Sequence, residues 1–231
     1  MERNNLSKNP VYSHSALSTF ETCPRQYKHL YLLRDVKHLK TKENERGDLV
    51  HKAIAAWIEH GTESAEYAAE INVVRPLVTA LRARAPAYEE FAELKWGLTP
   101  GFTPTGFFDS NVYLRGVIDY VLIEPTSAFV LDHKTGKKKE DFAQLDTFAT
   151  AVFCLNPSVE RVRAAFGWLK TGEFTHKDYT REGLRALTRA IEAKIETVWE
   201  HTSFDNFPGR PSGLCRGWCP VRQCEHWSAQ R

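Results

Sequence analysis

From residue 92 to 134 the apolar period is two, in "AELKWGL", "NVYLRGVIDYVLIE" and "SAFVLDHKT", and no other feature constrains the fold as much. Alternation of this kind belongs to β-strands that press one face on a core. A Gly/Thr/Pro-rich segment, 97–106, and the tetrapeptide "EPTS" separate the three strands. A tight hairpin with an even loop through "EPTS" sets Asp119 directly opposite Asp132.

Helical periods flank this block. "NERGDLVHKAIAAWIEHG" places Leu49, Val50, Ala53, Ile54, Trp57 and Ile58 on one broad face, His51 at its edge and Gly61 as a C-terminal stop. "SHSALSTFETCPRQYKHLYLLR" reads as two helical pieces, Ser15 capping the first and Pro24 opening the second. Residues 64–91 continue as helix around Pro76 and Pro86. A further helix is expected from near Asp141 and a strand at "RVRAAFGWLK". "TREGLRALTRAIEAKIETVWEH" is a long amphipathic helix with Leu184, Leu187, Ile191, Ile195 and Val198 inward. The tail "FPGRPSGLCRGWCPVRQCEHW" has neither period. This arrangement predicts an α/β fold, a central mixed sheet flanked by helices.

With 231 residues there is room for one sizeable core and an accessory region. A formal charge of +2 means that affinity for nucleic acid must come from a local patch. No run approaches the length of a membrane span and "MERNNLSKNP" has no apolar segment, so a cytoplasmic location is expected. The phosphate-binding pattern G-x4-G-K-[ST] is absent, so the sequence does not read as an ATPase or helicase.

The chemistry concentrates in "LDHKTGKKKED". Asp132 and Lys134, two apart on a strand, leave the same face. Opposed residues have Cβ atoms ~4.5–5.5 Å apart, so Asp119 and Asp132 repel, each raising the other's pKa unless a cation joins them. A hard divalent ion, Mg²⁺ or Mn²⁺, resolves that conflict. Lys134 can then orient a water for attack on phosphorus. Lys137, Lys138 and Lys139 form a basic run where a phosphate backbone would pass.

Five cysteines without an export signal do not suggest disulfides. Cys215, Cys219 and Cys224 crowd together, and a fourth partner must be Cys23 or Cys154. A 4Fe–4S cluster and a structural zinc are the alternatives. Zinc sites usually show two local pairs, whereas Cys23 is about 190 residues from the other three.

"GVIDYVLIE" followed by "FVLDHKTGKK" resembles the paired-carboxylate and D-x-K motifs of the PD-(D/E)XK nuclease superfamily. "RGDLVHKAI" resembles the G-x3-H helix motif of its RecB-like branch, and "QLDTF" the following Q-x3-Y motif, with Phe148 in place of the tyrosine. "SALSTFETCPRQYKHLYL" resembles the opening of RecB-like nucleases that carry an iron–sulfur cluster. Over roughly residues 13–227 the chain is similar to the stand-alone CRISPR-associated RecB-like exonucleases, although its distal cysteines are spaced C-x3-C-x4-C where C-x2-C-x5-C is usual.

The resemblance implies a restriction-endonuclease-like core in a single nuclease domain, 1–231. The catalytic core spans 47–170, and 13–34 with 205–231 form a lobe holding the cluster on Cys23, Cys215, Cys219 and Cys224. Cys154 reads as a small buried apolar residue. His51, Asp119, Asp132 and the backbone carbonyl of His133 are the implied metal ligands. Lys134 positions the water, and Gln144 supports the site from the next helix. Glu93 would add a carboxylate, with Glu90 as its alternative. An imidazole ligand favours manganese over magnesium. Tyr27, Trp168 and Trp218 could stack unpaired bases.

The implied activity is DNA hydrolysis, as a single-strand exonuclease running 5′ to 3′. The alternatives are a partner-dependent endonuclease or end-trimming factor in CRISPR adaptation, repair or viral recombination, and a non-catalytic zinc-bearing DNA-binding module.

Overall fold

The computed structural model describes residues 10–84, 88–138 and 141–229. Its helices are α1 (His14–Thr22), α2 (Pro24–Tyr27), α3 (Lys42–His60), α4 (Ala68–Arg84), α5 (Ala143–Leu155) and α6 (Leu184–Ser203). Its strands are β1 (Glu89–Leu98), β2 (Pro104–Thr105), β3 (Leu114–Ile123), β4 (Ser127–Lys134), β5 (Arg161–Trp168) and β6 (Glu173–Thr180). The chain divides into two compact units, Lys42–Thr188, and Met1–Thr41 with Arg189–Arg231.

In the larger unit the strands form one sheet in the order β2-β1-β3-β4-β5-β6. β4 and β5 run parallel and the other pairs antiparallel, so the sheet is mixed. The β3–β4 turn is tight, the Glu124 N–H donating to the Ser127 carbonyl at 2.7 Å. Tyr120 lies opposite Leu131 and Ile123 opposite Ala128, the register expected from the even loop. Because parallel strands cannot join through a tight turn, the chain crosses from β4 to β5 through α5.

One face of the sheet packs on α3 and α4, where Val50, Ile54, Ile71, Val74 and Val78 meet Tyr120, Leu122 and Leu131 without solvent exposure above 1%. Each such side chain contributes roughly 1.5–3 kcal/mol when buried, which anchors the helix that carries His51. Gly61 terminates α3 at φ +67°, as its sequence position predicts. Leu49 was expected inward but is 49% exposed, because the buried stripe of α3 runs through Gly47, Val50, Ile54, Trp57 and Ile58 and leaves Leu49 beside it.

Several boundaries differ from expectation. The helix expected over 64–91 ends at Arg84, and a strand begins at Glu89, since pairing of Glu89 with Ile123 onward claims that stretch for the sheet. Pro76 lies inside α4, and Pro86 lies outside the described residues. β6 was not anticipated; of its eight residues only Tyr179 is buried, so it carries no alternation to read. Ser13, not Ser15, caps α1, its Oγ accepting from the Ala16 N–H at 3.2 Å.

In the smaller unit Pro24 opens α2, and a wider helical turn continues over Lys28–Leu33. Tyr12, Phe20 and Tyr27 are buried, with Phe20 and Tyr27 edge to face at 5.5 Å and Tyr27 stacked on Tyr31 at 5.3 Å. The aperiodic tail holds a short turn, Gly213–Cys215, and a bridge between Arg216 and Ser228. Among the described residues no helix is long and apolar enough to cross a membrane.

Candidate active site

Two polar clusters meet where β3 and β4 separate. Their ladder runs to the pair Tyr120–Leu131. One residue further on, the Asp119 side chain takes over, accepting from the His133 N–H through Oδ2 at 2.7 Å. Its other oxygen, Oδ1, lies 3.2 Å from His51 Nδ1, which α3 delivers. The His133 ring stands edge to face with that of His51, centroids 5.8 Å apart, and its Nδ1 is 3.6 Å from Asp119 Oδ2. One ligand atom each from His51, Asp119 and His133 lies within 4.8 Å of the others, a spacing that could hold a metal ion.

The second cluster is a closed triangle. Lys134 Nζ sits 2.6 Å from Asp132 Oδ2 and donates to Gln144 Oε1 at 2.7 Å, while Gln144 Nε2 donates to Asp132 Oδ1 at 2.8 Å. Gln144 comes from the first turn of α5, so the crossover helix itself closes the triangle. The Lys134 ammonium also lies 5.2 Å from the centre of the Phe166 ring on β5.

Burial dominates the electrostatics. It pushes Asp132 up, the Asp119 charge adds to it, and Lys134 and His51 oppose, leaving the carboxyl at about 7. Burial would raise Asp119 as well, but the His51 bond, the His133 ring and the His133 N–H outweigh it and hold that carboxyl below its ordinary range. The His51 imidazole is pulled down by burial and more than restored by Asp119, so it ends above its ordinary value. His133 is pushed down to about 4 by burial, which keeps the ring neutral.

Both ring nitrogens of His133 are buried without a hydrogen-bond partner. Unsatisfied buried polar groups cost roughly 1–3 kcal/mol each. A neutral imidazole facing a carboxylate and a second imidazole is a donor set that a divalent cation satisfies.

Glu93 lies level with Asp119, between the pairs Ala92–Tyr120 and Leu94–Ile118. Its carboxyl is raised by burial and then by the Asp119 charge. Its φ of +50° is a conformation that non-glycine residues rarely adopt and that gathers at functional sites. Glu90 is engaged elsewhere, accepting from Arg82 at 2.7 Å and from the Tyr120 hydroxyl at 2.8 Å.

The remaining expected residues are scattered. Lys137 is exposed, Lys138 pairs with Glu173 at 2.7 Å, and Lys139 lies outside the described residues. Tyr27 and Trp168 are buried and cannot stack bases, Tyr27 inside the smaller unit and Trp168 held by its Nε1 bond to Thr175 at 2.9 Å. Trp218 is exposed. Phe148 is buried, so the hydroxyl it lacks would not face a substrate. The His133 ring was missed: the D-x-K spacing points to its backbone, and only the packing of α3 brings the ring to His51.

In the smaller unit, Cys23, Cys215, Cys219 and Cys224 line one small cavity together with Arg25 and Arg210. The Arg210 N–H points at Cys23 Sγ and the Ser212 N–H at Cys215 Sγ, both at 3.4 Å, and Arg25 Nη1 points at Cys224 Sγ at 3.7 Å. Burial, and then the three neighbouring thiols, push Cys219 above its ordinary value against a backbone bond from Val221. Cys154 is half-buried in the larger unit, where burial pushes its thiol up to about 11.

A family model described as the PD-(D/E)XK nuclease superfamily matches residues 11–224. Among solved structures, the chain is similar to a crystal structure of a candidate exonuclease from Eubacterium rectale, with a TM-score of 0.53 at 9% identity, over 97% of this chain and 91% of that one. A second structure, named SSO0001, aligns over 98% of this chain and 91% of its own at 10% identity, but with a TM-score of 0.40. No curated protein matches the chain.

Proposed function

Because the chain belongs to the PD-(D/E)XK nuclease superfamily, we propose that it is a DNA exonuclease, using Mn²⁺ or Mg²⁺ to hydrolyse single-stranded DNA from 5′ to 3′. The observation that carries this reading is the Asp132–Lys134–Gln144 triangle beside the His51–Asp119–His133 group. His51, Asp119 and the His133 ring would hold the metal, with Asp132 and Glu93 as adjoining carboxylates and the His133 carbonyl as the ligand expected from the motif. When bound, the ion supplies Lewis-acid charge and lowers the pKa of water. Lys134, fixed between Asp132 and Gln144, orients the attacking water and offsets charge that builds on the phosphate. Lys137 and Lys138 border this position and would meet the DNA backbone. The exonuclease name borne by the Eubacterium rectale protein agrees with this reading.

The four-cysteine cavity fits a 4Fe–4S cluster held by Cys23, Cys215, Cys219 and Cys224, because two N–H groups and a guanidinium already aim at sulfur, as they do around cluster thiolates. A cluster here would be structural, tying the segments 13–34 and 205–231 into one lobe; four thiolates would also suit zinc. CRISPR adaptation, repair and recombination are the settings such an enzyme would serve.

The test follows 5′-labelled and 3′-labelled single strands over time with anaerobically purified protein in Mn²⁺, Mg²⁺ and EDTA. Early release of the 5′ label as mononucleotide, only with metal, is expected. Efficient cutting of closed circular single strands would overturn the exonuclease assignment while leaving a nuclease.

A further inference from the structure

The β1–β3 hairpin extends past the metal group and carries on one face a set of side chains that the site does not use. Gly97 pairs with Arg115 and Lys95 with Val117, so Lys95 and Arg115 leave the same face as Asp119. Strand residues two apart are about 6.6 Å apart, which places Arg115 roughly 13 Å from Asp119 along β3.

At the far end the connecting loop folds back over Arg115. The guanidinium lies 4.7 Å from the centre of the Phe107 ring and 5.7 Å from that of Phe108, and it donates to the Phe107 carbonyl at 3.0 Å. Among the described residues no carboxylate pairs with it. Phe108 is 79% exposed, and the two phenylalanine rings meet edge to face at 4.9 Å. The loop is braced by its own side chains. The Gly106 N–H donates to Asp109 Oδ2 at 2.7 Å, and a Cβ at Gly106 would meet that carboxylate at 2.6 Å. Thr105 Oγ1 bonds Asp109 at 2.9 Å and Asn111 at 2.7 Å.

We propose that this face is a track for an unpaired nucleotide strand, with Lys95 and Arg115 meeting successive phosphates and Phe108 stacking on a base at the far end. An exposed aromatic on a braced loop, beside a guanidinium with no carboxylate partner among the described residues, is the combination that binds single strands, the ring taking a base and the cation a phosphate. A braced loop presents the ring with less entropy left to lose on binding. The inference deepens the nuclease reading and rests on it.

The test measures binding of a 5′-fluorescein oligodeoxythymidine by anisotropy, in EDTA, to full-length protein carrying Asp132→Asn so that nothing is cleaved. Phe108→Ala should weaken binding roughly ten- to a hundred-fold at unchanged Tm. Phe108→Trp should restore it, and Arg115→Gln should weaken it and reduce the salt dependence by about one phosphate contact. Binding unchanged by Phe108→Ala would overturn the track. So would a Phe108→Ala effect seen only in self-association by sedimentation, which would make the patch a protein contact. If wild-type protein cleaves DNA while Phe108 is silent, only the track fails; if it neither binds nor cleaves, the nuclease reading falls with it.

Discussion

The carboxylate site and the cysteine cavity both gather groups that are costly to leave uncompensated, and they handle that cost differently. Asp132 lies against Lys134 and Gln144, and Asp119 is answered by His51 and the His133 N–H. The chain meets most of this charge itself and leaves the His133 ring nitrogens unpartnered, so a metal there would add to a formed structure. Four thiols facing one cavity are answered, among the described residues, by the N–H groups of Arg210, Ser212 and Val221 and by Arg25, itself paired with Glu225. On the proposal of a cluster or zinc there, the bound group would balance the four sulfurs and be part of the fold of its unit. On that proposal the first site would take an exchangeable ion and the second a structural one.

The sharpest way to break this contrast is at Lys134. Lys134→Met keeps the chain length and removes the charge, and should lower the single-turnover cleavage rate by at least about 10³-fold, on the order of what a preorganised charge contributes. The unfolding temperature of the larger unit should also fall, since Asp132 loses its buried partner, so the rate is compared well below that transition. A variant that cleaves within ten-fold of wild type would remove Lys134 from the chemistry.

Cys23→Ser probes the opposite side. It should cost roughly 2–5 kcal/mol, in line with loss of a covalent or metal staple, and be read as a lower Tm with faster proteolysis of the N-terminal segment. A variant as stable and as protease-resistant as wild type would mean that the cavity holds nothing structural.

His133→Leu sharpens the account of the metal group. Removing two unsatisfied nitrogens should stabilise the metal-free protein by roughly 1 kcal/mol while weakening Mn²⁺ binding about 10- to 100-fold by calorimetry. Equal Mn²⁺ affinity in both proteins would confine His133 to a backbone role.

A further effect is on pH. In metal-free protein Asp132 keeps its proton to about 7, above its unfolded value. The folded state therefore binds more protons than the unfolded one between about 4 and 7, and stability falls as pH rises through that window. Asp119, held low, acts in reverse, adding stability that is lost as pH falls below the ordinary carboxyl range. Saturating Mn²⁺ should flatten the decline between about 4 and 7, read by chemical denaturation. The same slope with and without Mn²⁺ would separate Asp132 from the metal.

How much of this was legible follows from range. The meeting of Asp119 and Asp132 is written in the even loop "EPTS", because a hairpin converts spacing into register. His51 was legible from the motif order, and Gln144 from its distance beyond Lys134. Glu93 could not be separated from Glu90 in sequence; only the register, which puts Glu93 level with Asp119 and Glu90 beside Arg82, divides them. The His133 ring and the burial of Tyr27 and Trp168 depend on which helix or strand covers each residue, and that is set by packing across the fold. β6 escaped because an exposed edge strand does not need the alternation that reveals strands.

The most direct test of the central claim, that a metal on a preformed carboxylate site drives hydrolysis, compares wild type with Asp132→Asn in single-turnover cleavage of end-labelled single-stranded DNA, in Mn²⁺ and in EDTA. Cleavage is expected by wild type in Mn²⁺ alone and none by the variant, with both proteins unfolding at similar temperature. Cleavage that persists in EDTA, or in Asp132→Asn at the wild-type rate, would contradict it.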